Sequence, residues 1–214
     1  MVKTGGARAR SSAGFDPAMI DLGLEILLFL VIQVLMGVVI NAGAFRLIGE
    51  MPRLLGLLST EPSEDALLLQ QMASTLRPAD LLGDAVMSGI LLTFSTLVSN
   101  GVIYVVGILF GGAGELFKLM GSLFRVQIIM SIVQTICLAL AVSGVFLHAP
   151  LEVLLTLSIA GLGLTVVSGL AQFIWLVYAV GRGHEVGFIK GAFIVLVGGV
   201  VTGILWSLFG IFSA

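Results

Sequence analysis

Five stretches of this chain are each long and apolar enough to cross a lipid bilayer, which leaves little freedom in what it can fold into. A helix needs about 20 apolar residues to span a hydrocarbon core about 30 Å thick. The runs at 22–45, 84–110, 121–146, 152–180 and 189–212 reach that length. Composition agrees, because 58% of the 214 residues are hydrophobic and 10% charged, too few polar side chains to cover a water-soluble core. The runs do not alternate apolar and polar residues as membrane-barrel strands do, so their backbone groups must find partners inside helices. The expected fold is all-α: a polytopic integral membrane protein with five transmembrane helices. It comprises a tail at 1–18 and one membrane domain at 19–214.

Lys3, Arg8 and Arg10 precede the first apolar run, and "NAGA" supplies small residues for cleavage, the outline of a secretory signal. Asp21 and Glu25 sit where signal peptides are free of acid. The run is also long enough to span, so it reads as a retained anchor. Basic residues set the orientation. Lys3, Arg8, Arg10, Lys118, Arg125, Arg182 and Lys190 fall on one side, and only Arg46, Arg53 and Arg77 on the other, spread over a longer loop. The positive-inside rule then makes the N-terminus cytoplasmic and the C-terminal "GIFSA" periplasmic. The long outer loop at 46–83 has helix-start residues around Thr60 to Ser63 and stops before Pro78. Leu68, Met72 and Leu76 recur at helical spacing, which predicts an amphipathic helix on the outer surface or packed on the bundle.

Several function classes lose support at this stage. A net charge of −2, with no basic run beyond "KTGGARAR", argues against nucleic acid. Cys137 stands alone, and His148 and His184 lie in separate loops, so no intrachain disulfide, metal cage or cofactor is expected. The chain has no HExxH, no Gly-x-Ser-x-Gly and no paired acidic motif of a phosphatidyl transferase. Asp80 and Asp84 are four apart, as a two-acid site asks, but a helix cap and a first-turn acid explain them as well. Glu25 lies about one turn into its helix, within reach of headgroups or of Arg125, which itself reads as a snorkelling side chain.

Polar residues recur inside the apolar runs. Gly89, Thr93, Thr96, Asn100, Tyr104 and Gly107 share one face of the second helix; Gln127, Ser131 and Gln134 share one of the third; Thr165, Ser168 and Gln172 one of the fourth. Such rows either line a polar cavity or headgroup groove, or hold helices together by hydrogen bonds. Gly199, Gly203 and Ser207 repeat every fourth residue, as do Gly161, Thr165 and Gly169. That spacing lets backbones approach closely, within one chain or between two.

"YVVGILFGGAGELFKLMGSLFRVQIIMSIVQTI", followed after one helix by "FIWLVYAVGRGHEVGFIKGAFIVLV", resembles the bacterial branch of the Yip (Ypt-interacting protein) domain family. The residues that carry the resemblance are the glycine turn Gly111, Gly112 and Gly114 with Glu115, then Trp175, the His184 turn and Lys190. The resemblance covers about 84–205 and implies five helices with a cytoplasmic N-terminus. The eukaryotic Asp-Tyr-Gly-Pro type signature and the Gly-Tyr motif of the third helix are absent, so binding of Rab-type GTPases is not implied. Backbone N–H groups at "GGAGE", with Lys118 and Arg125, offer a shallow site for lipid phosphate, against the charge of Glu115. The expected function is non-enzymatic: a scaffold or organising subunit of the bacterial inner membrane, with membrane lipids and other integral proteins or a second copy as partners. The alternative is a lipid or small-molecule transporter using the polar face.

Overall fold

The computed structural model describes residues 17–58, 78–208 and 210, with side chains described for 17–49 and, within that set, from 80 onward. Five helices follow one another: α1 (Pro17–Leu58), α2 (Pro78–Leu109), α3 (Leu116–Phe146), α4 (Leu151–Gly183) and α5 (Gly187–Leu208). There is no strand among the described residues. All five helices are long and apolar enough to cross a membrane, which matches the expected count in an all-α fold. Residues 1–16 of the expected tail, and the amphipathic helix expected around Leu68, Met72 and Leu76, lie outside the described residues, whereas Pro17 and Ala18 already belong to α1.

Two boundaries differ from the expectation. α1 runs through the first part of the loop assigned to 46–83 and ends at Leu58, 42 residues after it starts. Arg46 is charged but helix-compatible. Its guanidinium lies 6.0 Å from the centre of the Phe146 ring, so the charge is accommodated on the helix flank without ending it. α2 starts at Pro78, which places Asp80 inside the first turn and not at the cap. Proline suits a first helical position because its missing N–H would have no partner there.

The short connections are helix-end motifs of one kind. After α2, Gly111 N–H donates to Ile108 O at 3.0 Å and Gly112 N–H to Gly107 O at 2.9 Å, the paired bonds of a Schellman end. The same pair recurs after α3 (His148 to Val145, Ala149 to Gly144) and after α4 (Glu185 to Arg182, Val186 to Gly181). Each motif needs a residue in the left-handed region: Gly111 at φ 84°, His148 at 49° and Glu185 at 59°. Only the first of these is a glycine, which adopts that conformation without steric cost.

α1 packs on α2 and α3, α3 on α4, α4 on α5, and α5 returns to α2, closing a ring. α3 faces two cores. One gathers Ile103, Val106, Leu123, Val177, Val180 and Ile194 from α2, α3, α4 and α5. The other joins Leu22, Phe29 and Ile32 of α1 to Met120, Phe124 and Ile128 of α3, with Phe29 and Phe124 edge to face at 5.5 Å and 72°. The outside is apolar too: Leu24, Phe94, Val166, Ile174 and Val200 are all exposed. An exterior of that kind suits contact with lipid or with another apolar protein face.

Glycine sets the closest helix approach. A Cβ on Gly161 would lie 2.6 Å from the Ala141 backbone nitrogen, whereas at Gly163 and Gly169 it would meet nothing within 4 Å. Gly161→Ala therefore forces α3 and α4 apart, at a cost of about 1–3 kcal/mol. Gly163→Ala and Gly169→Ala should be neutral, or stabilising by up to about 1 kcal/mol through helix propensity. Denaturant unfolding of the three variants in one detergent checks the contrast.

Candidate functional site

The α2–α3 and α4–α5 turns meet at the end of the bundle where α1 begins. Ala113 N–H donates to His184 O at 3.3 Å and ties one turn to the other. Gly107, Gly112 and Gly114 then leave a notch that the His184 ring fills, since an added Cβ at any of the three would crowd it. The ring is 1% exposed and tilts by 30° against Tyr104, centroids 5.7 Å apart. Neither ring nitrogen has a hydrogen-bond partner. Burial therefore penalises the charged imidazolium and holds His184 below its ordinary pKa.

Beside this latch an open groove of about 600 Å³ runs between the start of α3 and the end of α4. Glu115, Lys118, Arg125, Arg182 and Glu185 line it, with Tyr178 on one wall. Glu115 occupies the N-cap position of α3 in extended conformation without a side-chain cap bond, and its carboxylate pairs with Lys118 at 2.8 Å. Arg182 ends α4, where a cation complements the helix dipole. Arg125 donates its Nε–H to Glu25 Oε1 of α1. The carboxylate side chain is only 13% exposed, while that of the arginine stays 66% exposed. Gly121 makes room for Glu25, since a Cβ there would lie 2.9 Å from its Oε2. The reach of Arg125 to Glu25 was legible from helical rise; the groove around it was not.

Most of the expected polar face makes hydrogen bonds inside the bundle. Asn100 and Gln127 donate to each other, Nδ2 to Oε1 at 3.0 Å and Nε2 to Oδ1 at 3.1 Å, and Asn100 is fully buried. Gln134 Nε2 donates to Gln172 at 3.0 Å, and Gln33 Nε2 to Ser131 Oγ at 2.9 Å. Thr93 bonds its own helix at Gly89 O, Thr96 is half-buried, and Tyr104 serves as the face against His184. Among the described residues no three His, Cys, Asp or Glu side chains gather as metal ligands.

The expected turn residues Gly112, Gly114 and His184 come together, Gly111 supplies the positive φ, and Glu115 and Lys118 form the groove rim. Lys190 is exposed and does not line the groove. Of the expected packing glycines, Gly161 touches α3, whereas Gly169, Gly199 and Gly203 meet nothing. α5 is seated instead by Gly191 against Val177 O and Gly181, and by Gly198 against Ile103. Their spacing of seven on one helical face was the available signal. Gln33 and Asn41, the two amides of the first apolar run, were the other available signal; Asn41 Nδ2 donates to Leu81 O of α2 at 2.9 Å.

No protein-family model matches the chain, and neither does any curated protein or solved structure.

Two outcomes follow from this geometry. Asn100→Ala strands the Gln127 amide and should cost about 1–2 kcal/mol, above the average for a single interhelical bond. The double change Asn100→Leu with Gln127→Leu should recover part of that loss, and reversible unfolding in bicelles reads both. The unfolded chain takes up a proton at His184 near pH about 6.5, whereas the folded chain does so only at lower pH. Stability should therefore be level above about 6.5 and fall as the pH drops below it. Melting temperatures at pH 7.5 and 5.5 measure the slope, which His184→Asn should flatten.

Proposed function

We propose that this chain is a non-enzymatic, multi-pass protein of the bacterial inner membrane, related to the Yip domain family, that organises membrane by pairing with other integral proteins or with a second copy. The observation that carries the reading is the mutual satisfaction of Asn100–Gln127, Gln134–Gln172 and Gln33–Ser131. Polar groups that are satisfied inside the bundle act as glue between helices and line no route through it. Passage of a solute along that face lacks this support.

The outward ridge of α5 fits the same role. Gly199 and Gly203 are exposed and open above their Cα atoms, and Ser207 continues the spacing. Another helix can come close along such a ridge, because van der Waals contact between backbones drives association where lipid already surrounds every side chain. The glycine and histidine turns carry the resemblance to the Yip domain family, and their meeting at one end agrees with a five-helix unit of that type. With the N-terminus cytoplasmic, as the basic residues argue, the groove beside them faces the cytoplasmic leaflet.

Native mass spectrometry of the protein extracted gently from its own membranes should retain a stoichiometric membrane-protein partner or a second copy. Gly199→Leu or Gly203→Leu should remove it, while Gly163→Leu should not. A bare monomer in every case overturns the reading. A reporter fused after Ala214 should lie outside the cytoplasm.

A further inference from the structure

We propose that the groove between α3 and α4 binds the headgroup of a phospholipid whose phosphodiester is linked to a primary ammonium. The inference rests on the reading that the five helices span a bilayer. Three basic and two acidic side chains line the groove, so its lining is neither a simple anion trap nor a cation trap. Lys118 and Glu115 answer each other at 2.8 Å. Arg125 commits only its Nε–H to Glu25, and a guanidinium carries five donors. One edge is thus anchored from α1, and the remaining donors stay available to a phosphate oxygen.

Arg182 and Glu185 complete the pattern. Among the described residues neither belongs to an ion pair, although both line the groove. A ligand with a phosphate and an ammonium a few bonds apart satisfies both: the phosphate between Arg182 and the free edge of Arg125, the ammonium at Glu185. Phosphate prefers arginine because the planar fork matches its oxygens. Glu185 is held in the left-handed region at φ 59°, which strains any residue other than glycine.

Depth selects a lipid as the source of this chemistry. Charged side chains ring the mouth at the turns, and along α3 the lining passes Leu119, Ser122 and Arg125 before ending at Val126, about 15 Å from the start of the helix at 1.5 Å per residue. A headgroup phosphate reaches as far as Arg125 and an acyl chain leaves along apolar outer residues such as Ile129 and Ile174, whereas a free phosphoamine covers none of them. The volume of about 600 Å³ suits a headgroup and the first part of a chain.

The full chain in mild detergent, offered an equimolar mixture of phosphatidylethanolamine, phosphatidylglycerol and phosphatidylcholine, tests this by native mass spectrometry. Phosphatidylethanolamine should be retained about tenfold over the other two, the selectivity expected of one charge-assisted hydrogen bond. Phosphatidylglycerol lacks the ammonium, and the quaternary nitrogen of phosphatidylcholine has no N–H to donate. Arg182→Gln should weaken retention of all three about tenfold. Glu185→Gly should erase the preference alone, with a melting temperature unchanged or raised because the left-handed strain is gone, which separates lost binding from lost folding. Equal retention of the three lipids, or a preference that survives Glu185→Gly, overturns the proposal. Displacement by glycerophosphoethanolamine at stoichiometric concentration overturns the lipid source. A second copy lost while the headgroup preference stands touches only the scaffold reading. Recovery of the chain in an aqueous fraction without detergent overturns both.

Discussion

The reciprocal amide pair between Asn100 and Gln127 fixes the arrangement on which the rest of the bundle depends. In an apolar interior an unsatisfied amide is costly, so each of these side chains is held to the other. α2 and α3 are sequence neighbours that otherwise touch little, and this pair is their cross-link through the middle of the ring. Asn100 lies about 14 Å before the end of α2 and Gln127 about 16 Å after the start of α3, at 1.5 Å per residue. The two-bond pairing therefore sets the helices in antiparallel register at matched depth. α1, α4 and α5 fill in around that pair, and Gln33 and Gln172 extend the same logic outward from α3.

Register at mid-depth determines what meets at the end. With α2 and α3 held level, the glycine turn lands beneath the α4–α5 turn, and His184 drops into the space left by Gly107, Gly112 and Gly114. The imidazole acts as a wedge in the role more often played by an aliphatic side chain. It is buried neutral, without a hydrogen bond, and is held by shape and by Tyr104. The groove beside it inherits its walls from the same two turns, so the positions of Arg182 and Glu185 relative to Lys118 depend on the latch staying shut.

Much of the fold was legible because lipid imposes simple rules: length and apolarity count the helices, and turn glycines mark their ends. The charge-bearing positions misled at the edges. Arg46 read as the start of a loop, yet an arginine at a membrane surface is compatible with a continuing helix and an aromatic neighbour. The glycine repeats were harder to use, because spacing shows that a face is smooth without showing which partner it meets. Gly161 meets α3, Gly198 meets α2, and Gly199, one position further, meets nothing. The polar rows were legible as helical faces with two readings left open, and the pairings Asn100–Gln127, Gln134–Gln172 and Gln33–Ser131 have no signature in spacing alone. The contact of two turns more than seventy residues apart has no periodic signature, and the groove follows from that contact.

The length of α1 carries a different consequence. At 42 residues it rises about 63 Å, whereas the hydrocarbon core is about 30 Å thick and the whole bilayer about 40–45 Å. α3, with 31 residues, comes to about 46 Å and is close to the full thickness. If α1 and α3 start level at the groove end, α1 overshoots α3 by roughly three turns, and tilt can absorb only part of that excess. The last part of α1 contains Pro52, and a proline inside a helix, with its missing N–H and bulky ring, interrupts the i to i−4 bonding and favours a bend. In a bilayer such a bend would let the surplus turns lie along the headgroups in place of standing clear of them.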